Sequence, residues 1–124
     1  MLKTNNCMSN YLFVCKAGKI RSPTAVRAAN SVAKKHCLEL KAEATGTAII
    51  RKNGWNAEKL NNYDKIFVME PYMQRFLTRK YGVPEEKIVC FDIEDIYQRK
   101  NDVLLYTVLE QLIEEYFFDG KAKQ

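Results

Sequence analysis

The chain is poor in the residues that most often mark a metal centre or a disulfide scaffold. It has a single histidine, His36, and four cysteines, at positions 7, 15, 37 and 90. Those spacings match no zinc motif and form no dense framework. Thiols kept reduced in a cytoplasmic setting are the simplest expectation, and no metal or organic cofactor is called for. No apolar run approaches the about 20 residues of a membrane-spanning helix. A secretory signal pattern is missing from the first residues. Stable membrane insertion is therefore not expected. There is no internal repeat, low-complexity segment or second compositional block, so residues 1–124 read as one domain, large enough for a sizeable core. Twenty Lys and Arg against fifteen Asp and Glu give a net charge of +5. That is a mild excess, compatible with acidic substrates or surfaces, and too weak to argue for nucleic acid. Nothing in the sequence fixes an oligomeric state.

What is present is concentrated in one stretch, Tyr11-Leu12-Phe13-Val14-Cys15-Lys16-Ala17-Gly18-Lys19-Ile20-Arg21-Ser22-Pro23. It reads as a buried strand, a short loop and the first turn of a helix, where proline's missing amide costs nothing. A loop of this kind turns backbone N–H groups inward at the positive end of a helix dipole and cradles an anion. Cys15 at its floor would feel those dipoles and the guanidinium of Arg21, and both favour the thiolate as nucleophile. Arg21 offers a planar fork for two oxygens of a phosphoryl group. Ser22 is placed to donate a hydrogen bond to the Cys15 sulfur and improve it as a leaving group. Lys16, Ala17, Gly18, Lys19 and Ile20 form the substrate-binding cradle. The chemistry is nucleophilic catalysis with electrostatic stabilisation.

Taken in order, the sequence predicts a strand at about 10–15 and a helix from Pro23 to His36 with Ala25, Ala29, Val32 and Ala33 inward. Cys7 falls in the polar leader as a bystander. His36 suits the helix C-terminus. A half-exposed edge strand follows over 38–44, a turn at Gly46, and a loop over 48–54 with Gly54 as a turn. Trp55, the only tryptophan, is a candidate core anchor. Asn56 caps a short helix to about Asn62. A continuous apolar strand runs from Lys65 to Met69, a helix from Pro71 to Tyr81 stopped by Gly82, a fourth strand from Lys87 to Phe91 with Cys90 in the core, a polar loop from Asp92 to Arg99, and a long helix from Asp102 to Phe118. Strands alternating with helices imply an α/β fold, a three-layer Rossmann-like arrangement of about four parallel strands with helices on both faces. Its ligand site would lie beyond the carboxyl ends of the strands.

Cys15, Arg21, Ser22 and Pro23 together resemble the Cys-x5-Arg-Ser-Pro loop of the low-molecular-weight protein tyrosine phosphatases. Ala44-Thr45-Gly46-Thr47 is similar to that family's Ser-Ala-Gly-Thr, and Ile66 to Glu70 to its strand ending in Met-Asp. Ile93 to Tyr97 stands where the family has Asp-Pro-Tyr. The resemblance covers most of the chain, and it implies a second candidate role for Trp55, as a wall of the substrate cleft. It implies a cytoplasmic phosphatase working through a phosphocysteine and carrying its general acid after the fourth strand. A positioned carboxylic acid contributes about 10²–10⁴-fold to such a step. Alignment on Tyr97 favours Asp95 over Asp92, with Glu94 a weaker third choice.

The chain also departs from that pattern. The loop asparagine that usually braces the cradle is missing, and so is a second cysteine before the arginine, so protection of Cys15 by a neighbouring disulfide is not expected. The segment from Gly46 to Lys65 looks short. Cys15-Lys16-Ala17-Gly18-Lys19 looks like the loop of a phosphoinositide phosphatase of a different lineage, and two lysines at the rim would suit extra phosphates on an inositol ring. Phosphorylated protein and phosphoinositide or inositol phosphate both stand as substrates. Arsenate reductase, which needs a relay of close cysteines, and a non-catalytic phosphate-binding module rank lower.

Overall fold

The computed structural model describes residues 8–119; Cys7 lies outside them. Four parallel strands, β1 (Ser9–Cys15), β2 (Leu40–Gly46), β3 (Lys65–Val68) and β4 (Ile88–Cys90), form one sheet in the order β2-β1-β3-β4. Helices α1 (Arg21–Lys35), α2 (Thr47–Lys52), α3 (Ala57–Asn61), α4 (Pro71–Tyr81) and α5 (Val103–Asp119) connect or follow them. The strand order reverses direction beside β1. The carboxyl end of β1 is therefore the switch point where a ligand crevice opens in such sheets.

β1 is apolar on both faces because both are covered. Leu12, Phe13 and Val14 have no solvent exposure. Alternation along β1 sends Tyr11 and Phe13 to one face, and the register sets Phe13 beside Phe67 of β3. Their rings stack at 4.7 Å, and Tyr116 of α5 meets Phe67 edge-on at 5.1 Å. Helix α5 packs along α1, burying Leu105, Leu109 and Ile113. Leu12, Val14, Ile66 and Val68 form the other face. Helix α4, with Met73 and Leu77 buried, lies against β3 and β4.

Element ends follow local chemistry. Helix α1 starts at Arg21, two residues before the expected Pro23, because Pro23 sits within the first turn and needs no amide partner there. It closes in a Schellman motif. Leu38 N donates to Ala33 O at 2.8 Å, Cys37 N donates to Lys34 O, and Cys37 takes a left-handed φ of 57°. That cap absorbs residues 36–38, so β2 begins at Leu40 instead of 38. His36, as expected, ends the helix, and it bonds Glu114 of α5 at 3.0 Å.

The expected loop at 48–54 is in part a helix. The six residues of α2 are too few to show a period in sequence; burial of Thr47 and Ile50 and attachment to the loop after β1 hold them. Gly46 does not turn the chain. It ends β2 in extended conformation, whereas Gly54 turns the chain as expected, with φ 69°. Asn56 caps α3 by accepting from Lys59 N at 2.8 Å. Helix α4 carries Pro71 at its first turn and stops at Gly82 in the left-handed region. Cys90 is half-buried at the end of β4, not a full core residue.

Candidate active site

Cys15 closes β1 and lies buried at the floor of the loop. Two donors reach its sulfur. Gly18 N–H points at Sγ from 3.2 Å, made possible by the positive φ of 73° at Gly18. Ser22 Oγ lies 3.2 Å from the same sulfur. The Ser22 hydroxyl also donates to Thr45 O at 3.0 Å. It has one proton for two acceptors. As charge builds on sulfur, rotating that proton from the carbonyl to Sγ stabilises the thiolate, since hydrogen bonds to an anion are the stronger kind.

The first turn of α2 braces the loop. Ala48 N donates to Lys16 O at 3.1 Å, with the Thr47 hydroxyl at 3.5 Å from the same oxygen. Gly46 makes this contact possible. A Cβ there would stand 2.5 Å from Gly18 N and 2.6 Å from both Ala17 C and Lys16 O. All three are backbone atoms that cannot move aside cheaply. The signal for this brace was in the sequence, in the Ala44 to Thr47 match, but its partner in space was not.

Arg21 is 2% exposed and is held on one edge. Its Nη1 donates to Glu70 Oε2 and to Ile93 O, each at 2.6 Å. Nη2 lies 3.7 Å from Asp95 Oδ2. The Nη1 hydrogens are thereby used, and the Nε–Nη2 edge remains as the fork that suits two oxygens of one phosphoryl group. Glu70 was not singled out from sequence. It occupies the N-cap of α4 but makes no capping bond with its side chain, reaching Arg21 instead.

The acids after β4 separate by role. Asp92 is exposed and left-handed, with φ 59°. On either side of it, Phe91 N donates to Val68 O and Ile93 N to Met69 O. The kink at Asp92 keeps that pairing while delivering the Ile93 carbonyl to Arg21. Asp95 is 54% exposed and is the one of the three that reaches Arg21; Glu94 is exposed with no such contact.

Tyr97 is half-buried against the core. Tyr72, unremarked in the sequence, also belongs to this region. Burial, and then the negative charge of Glu70, raise its phenol above its ordinary range, and it feels the charges of Arg21, Asp95 and Cys15 as well. Trp55 packs against the core with the Lys59 ammonium 4.4 Å over its ring. That favours the anchor reading over a cleft wall. Lys16, Ala17 and Lys19 are exposed, while Gly18 and Ile20 are half-buried.

Cys37 sits at the far end of α1. Cys90 is level with Val14 but two strands away, roughly 10 Å. Neither offers a close thiol to Cys15. Among the described residues no cluster of His, Cys, Asp and Glu could hold a metal ion.

No protein-family model matches the chain, and no curated protein sequence does. Solved structures match over nearly its full length, and they define the architecture as that of the low-molecular-weight protein tyrosine phosphatases. A low molecular weight protein tyrosine phosphatase from Bacillus subtilis aligns with TM-score 0.68 and 17% identity, over 90% of this chain and 99% of its own. A protein tyrosine phosphatase from Entamoeba histolytica, in a product-state mimic, aligns with TM-score 0.68 and 20% identity over 94% and 99%. The YwlE arginine phosphatase, in a mutant with a phosphorylated active-site serine, aligns with TM-score 0.64 and 15% identity over 89% and 97%. At these identities the likeness carries the fold; the chemistry rests on this chain's own residues.

Proposed function

We propose that the protein is a cysteine-dependent phosphomonoester phosphatase of the tyrosine-phosphatase type, working through a phosphocysteine. The observation that carries this reading is the pair of donors at 3.2 Å on the Cys15 sulfur beside an arginine clamped by its Nη1 edge. In this reading the Cys15 thiolate attacks phosphorus in line. The P–O bond breaks, its electron pair leaves with the ester oxygen, and Asp95 gives that oxygen a proton. The Nε–Nη2 edge of Arg21 and the loop amides hold the equatorial oxygens. Water then attacks phosphorus and passes a proton to the Asp95 carboxylate. The S–P bond breaks with its electrons returning to Cys15, assisted by the Ser22 hydroxyl.

Phosphotyrosine in proteins is the first substrate class. A second is favoured by one feature of this loop. Lys16 and Lys19 are exposed on its crest, and among the described residues neither makes an ion pair. Two free cations beside a phosphoryl site suit a substrate with several phosphates, such as a phosphoinositide or inositol phosphate.

The test is phosphate release, without added metal, from a phosphotyrosine peptide, a phosphoarginine peptide and soluble phosphoinositides, with Cys15→Ser as control. Turnover that vanishes in the control is expected. Equal turnover in wild type and Cys15→Ser would sink the mechanism. Faster release from the phosphoinositides, reversed by Lys16→Ala with Lys19→Ala, would assign the lysines to specificity.

A further inference from the structure

We propose that Thr24 is a positioning residue for the general acid: its buried hydroxyl latches the far end of the acid loop to the first turn of α1 and so confines Asp95 beside Arg21. This rests on the phosphatase reading above and adds to it a residue that acts through the loop, not on the substrate.

The latch is one hydroxyl with two partners. Thr24 has no solvent exposure. Its Oγ1 donates to Ile20 O at 2.7 Å and accepts from Asn101 N at 2.9 Å. A threonine bond back to the carbonyl four residues earlier is an ordinary helical habit. Acceptance from an amide 77 residues away is not. Asn101 takes a left-handed φ of 64° at that point, a conformation asparagine tolerates better than most residues. Ile20 closes the cradle immediately before Arg21. The Thr24 proton therefore points at the nucleophile loop while its lone pair holds the acid loop, and each bond polarises the other.

The loop it holds is built without secondary structure from 92 to 102. At the near end, Ile93 N donates to Met69 O, and Ile93 O accepts from Arg21 Nη1 at 2.6 Å. At the far end Asn101 reaches Thr24, and Asp102 turns to α5, where its carboxylate accepts from the amides of Leu104 and Leu105. Arg21 and Thr24 stand three residues apart, on one face of the first turn of α1. That turn grips the acid loop twice, and Asp95 lies between the two grips.

A segment tied at both ends samples fewer conformations than one tied at a single end. The Asp95 carboxylate is 54% exposed and meets Arg21 at 3.7 Å, so the time it spends facing the leaving oxygen depends on how closely its backbone is confined. Removing the Thr24 hydroxyl spares the cradle. Thr24 N also donates to Ile20 O, at 3.2 Å, and valine keeps that amide. The loss therefore falls on the acid loop.

The experiment compares kcat/KM, which reports expulsion of the leaving group, for phenyl phosphate and para-nitrophenyl phosphate in the full chain. Thr24→Val should lower it about three- to tenfold on phenyl phosphate, whose leaving group needs a proton, and far less on para-nitrophenyl phosphate. Thr24→Ser, which keeps the hydroxyl, should restore phenyl phosphate turnover. In an Asp95→Asn background, Thr24→Val should add no further loss. Equal losses on both substrates, no loss on either, or an additive loss in the Asp95→Asn background each overturn the positioning role. Amide hydrogen exchange separates the latch from the phosphatase reading. Exchange over residues 93–101 should be faster in Thr24→Val than in wild type, with exchange in β1 unchanged. Retained hydrolysis with unchanged exchange overturns the latch and leaves the phosphatase reading standing. A wild type that releases no phosphate from either ester overturns the phosphatase reading and the positioning role together, even where exchange shows the loop to be latched.

Discussion

The two sides of the site are built differently. On the β1–β2 side, the nucleophile loop is fixed by backbone. Gly46 lets β2 lie against Lys16 and Ala17, Ala48 N–H holds Lys16 O, and the sulfur receives Gly18 N–H and Ser22. On the β4–α5 side, residues 92–102 have no helix or strand, and Asp95 is exposed and tied to the site by one 3.7 Å contact with Arg21. Arg21 joins the halves through Glu70, Ile93 and Asp95. A nucleophile must be aimed within a fraction of an ångström throughout the reaction. An acid has to reach the leaving oxygen only when substrate is bound, and apo geometry at such groups is commonly loose. The difference in construction follows the difference in task.

That contrast can be broken from either side. The largest effect is expected for Asp95→Asn. It should lower kcat about 10²–10⁴-fold on substrates with a poor leaving group and far less on para-nitrophenyl phosphate, whose leaving group needs little protonation. Thermal stability should barely change, since the residue is half-exposed. A uniform loss across leaving groups would remove Asp95 from the acid's role.

Gly46→Ala comes next and acts on the other half. The new methyl has no space among backbone atoms, so the loop must shift. A fall in kcat/KM of about 10²-fold is expected with all leaving groups alike, together with destabilisation of about 1–3 kcal/mol by calorimetry or urea titration. Full activity in Gly46→Ala would mean the brace is dispensable.

Asp92 separates backbone from side chain. Asp92→Asn should be nearly silent in both rate and stability, because asparagine tolerates the left-handed region. Asp92→Val should cost about 1–3 kcal/mol and slow turnover through the displaced Ile93 carbonyl. If Asp92→Asn abolished turnover, Asp92 would be the acid after all.

The smallest effect lies away from the site. The Tyr63 hydroxyl donates to Glu43, and this bond lowers the Glu43 carboxyl below its usual range, with Lys41 and Lys59 adding to the effect. Because the folded-state value is depressed, the stabilisation is present above the unfolded carboxylate range and is lost as pH falls through the folded value. Tyr63→Phe should lose about 1 kcal/mol at neutral pH, and the difference from wild type should shrink in acid. A constant difference across pH would assign the loss to packing.

Much of this was legible in the residues. Strong local signals marked β1, α1, α4 and the Cys15 to Pro23 loop: apolar runs, Pro71 at a helix start and Gly82 at its end. Asn56 as a cap was readable for the same reason, since its bond closes within three residues. The misreadings fall where distant contacts decide. Helix α2 is too short for a period and depends on the loop it braces. Gly46 looked like a turn because a glycine's two uses, a special φ and a close approach, are indistinguishable in a string. Glu70 entered only as the last residue of a strand motif, because its partner Arg21 lies 49 residues earlier.

The sequence by itself determined the strand–loop–helix unit with Cys15 at the strand's end, the alternation that requires a parallel sheet, and hence the edge where a ligand site would sit. These depend on periodicity and on contacts within a few residues, which the order of side chains specifies directly. Only the tertiary structure decided that Thr47 and Ala48 brace the Lys16 carbonyl, that Glu70 and Ile93 clamp one edge of Arg21, and that Asp95 and not Asp92 faces it. Those assignments join segments separated by tens of residues, and they are set by strand order and register, which arise only when both faces of the sheet are packed.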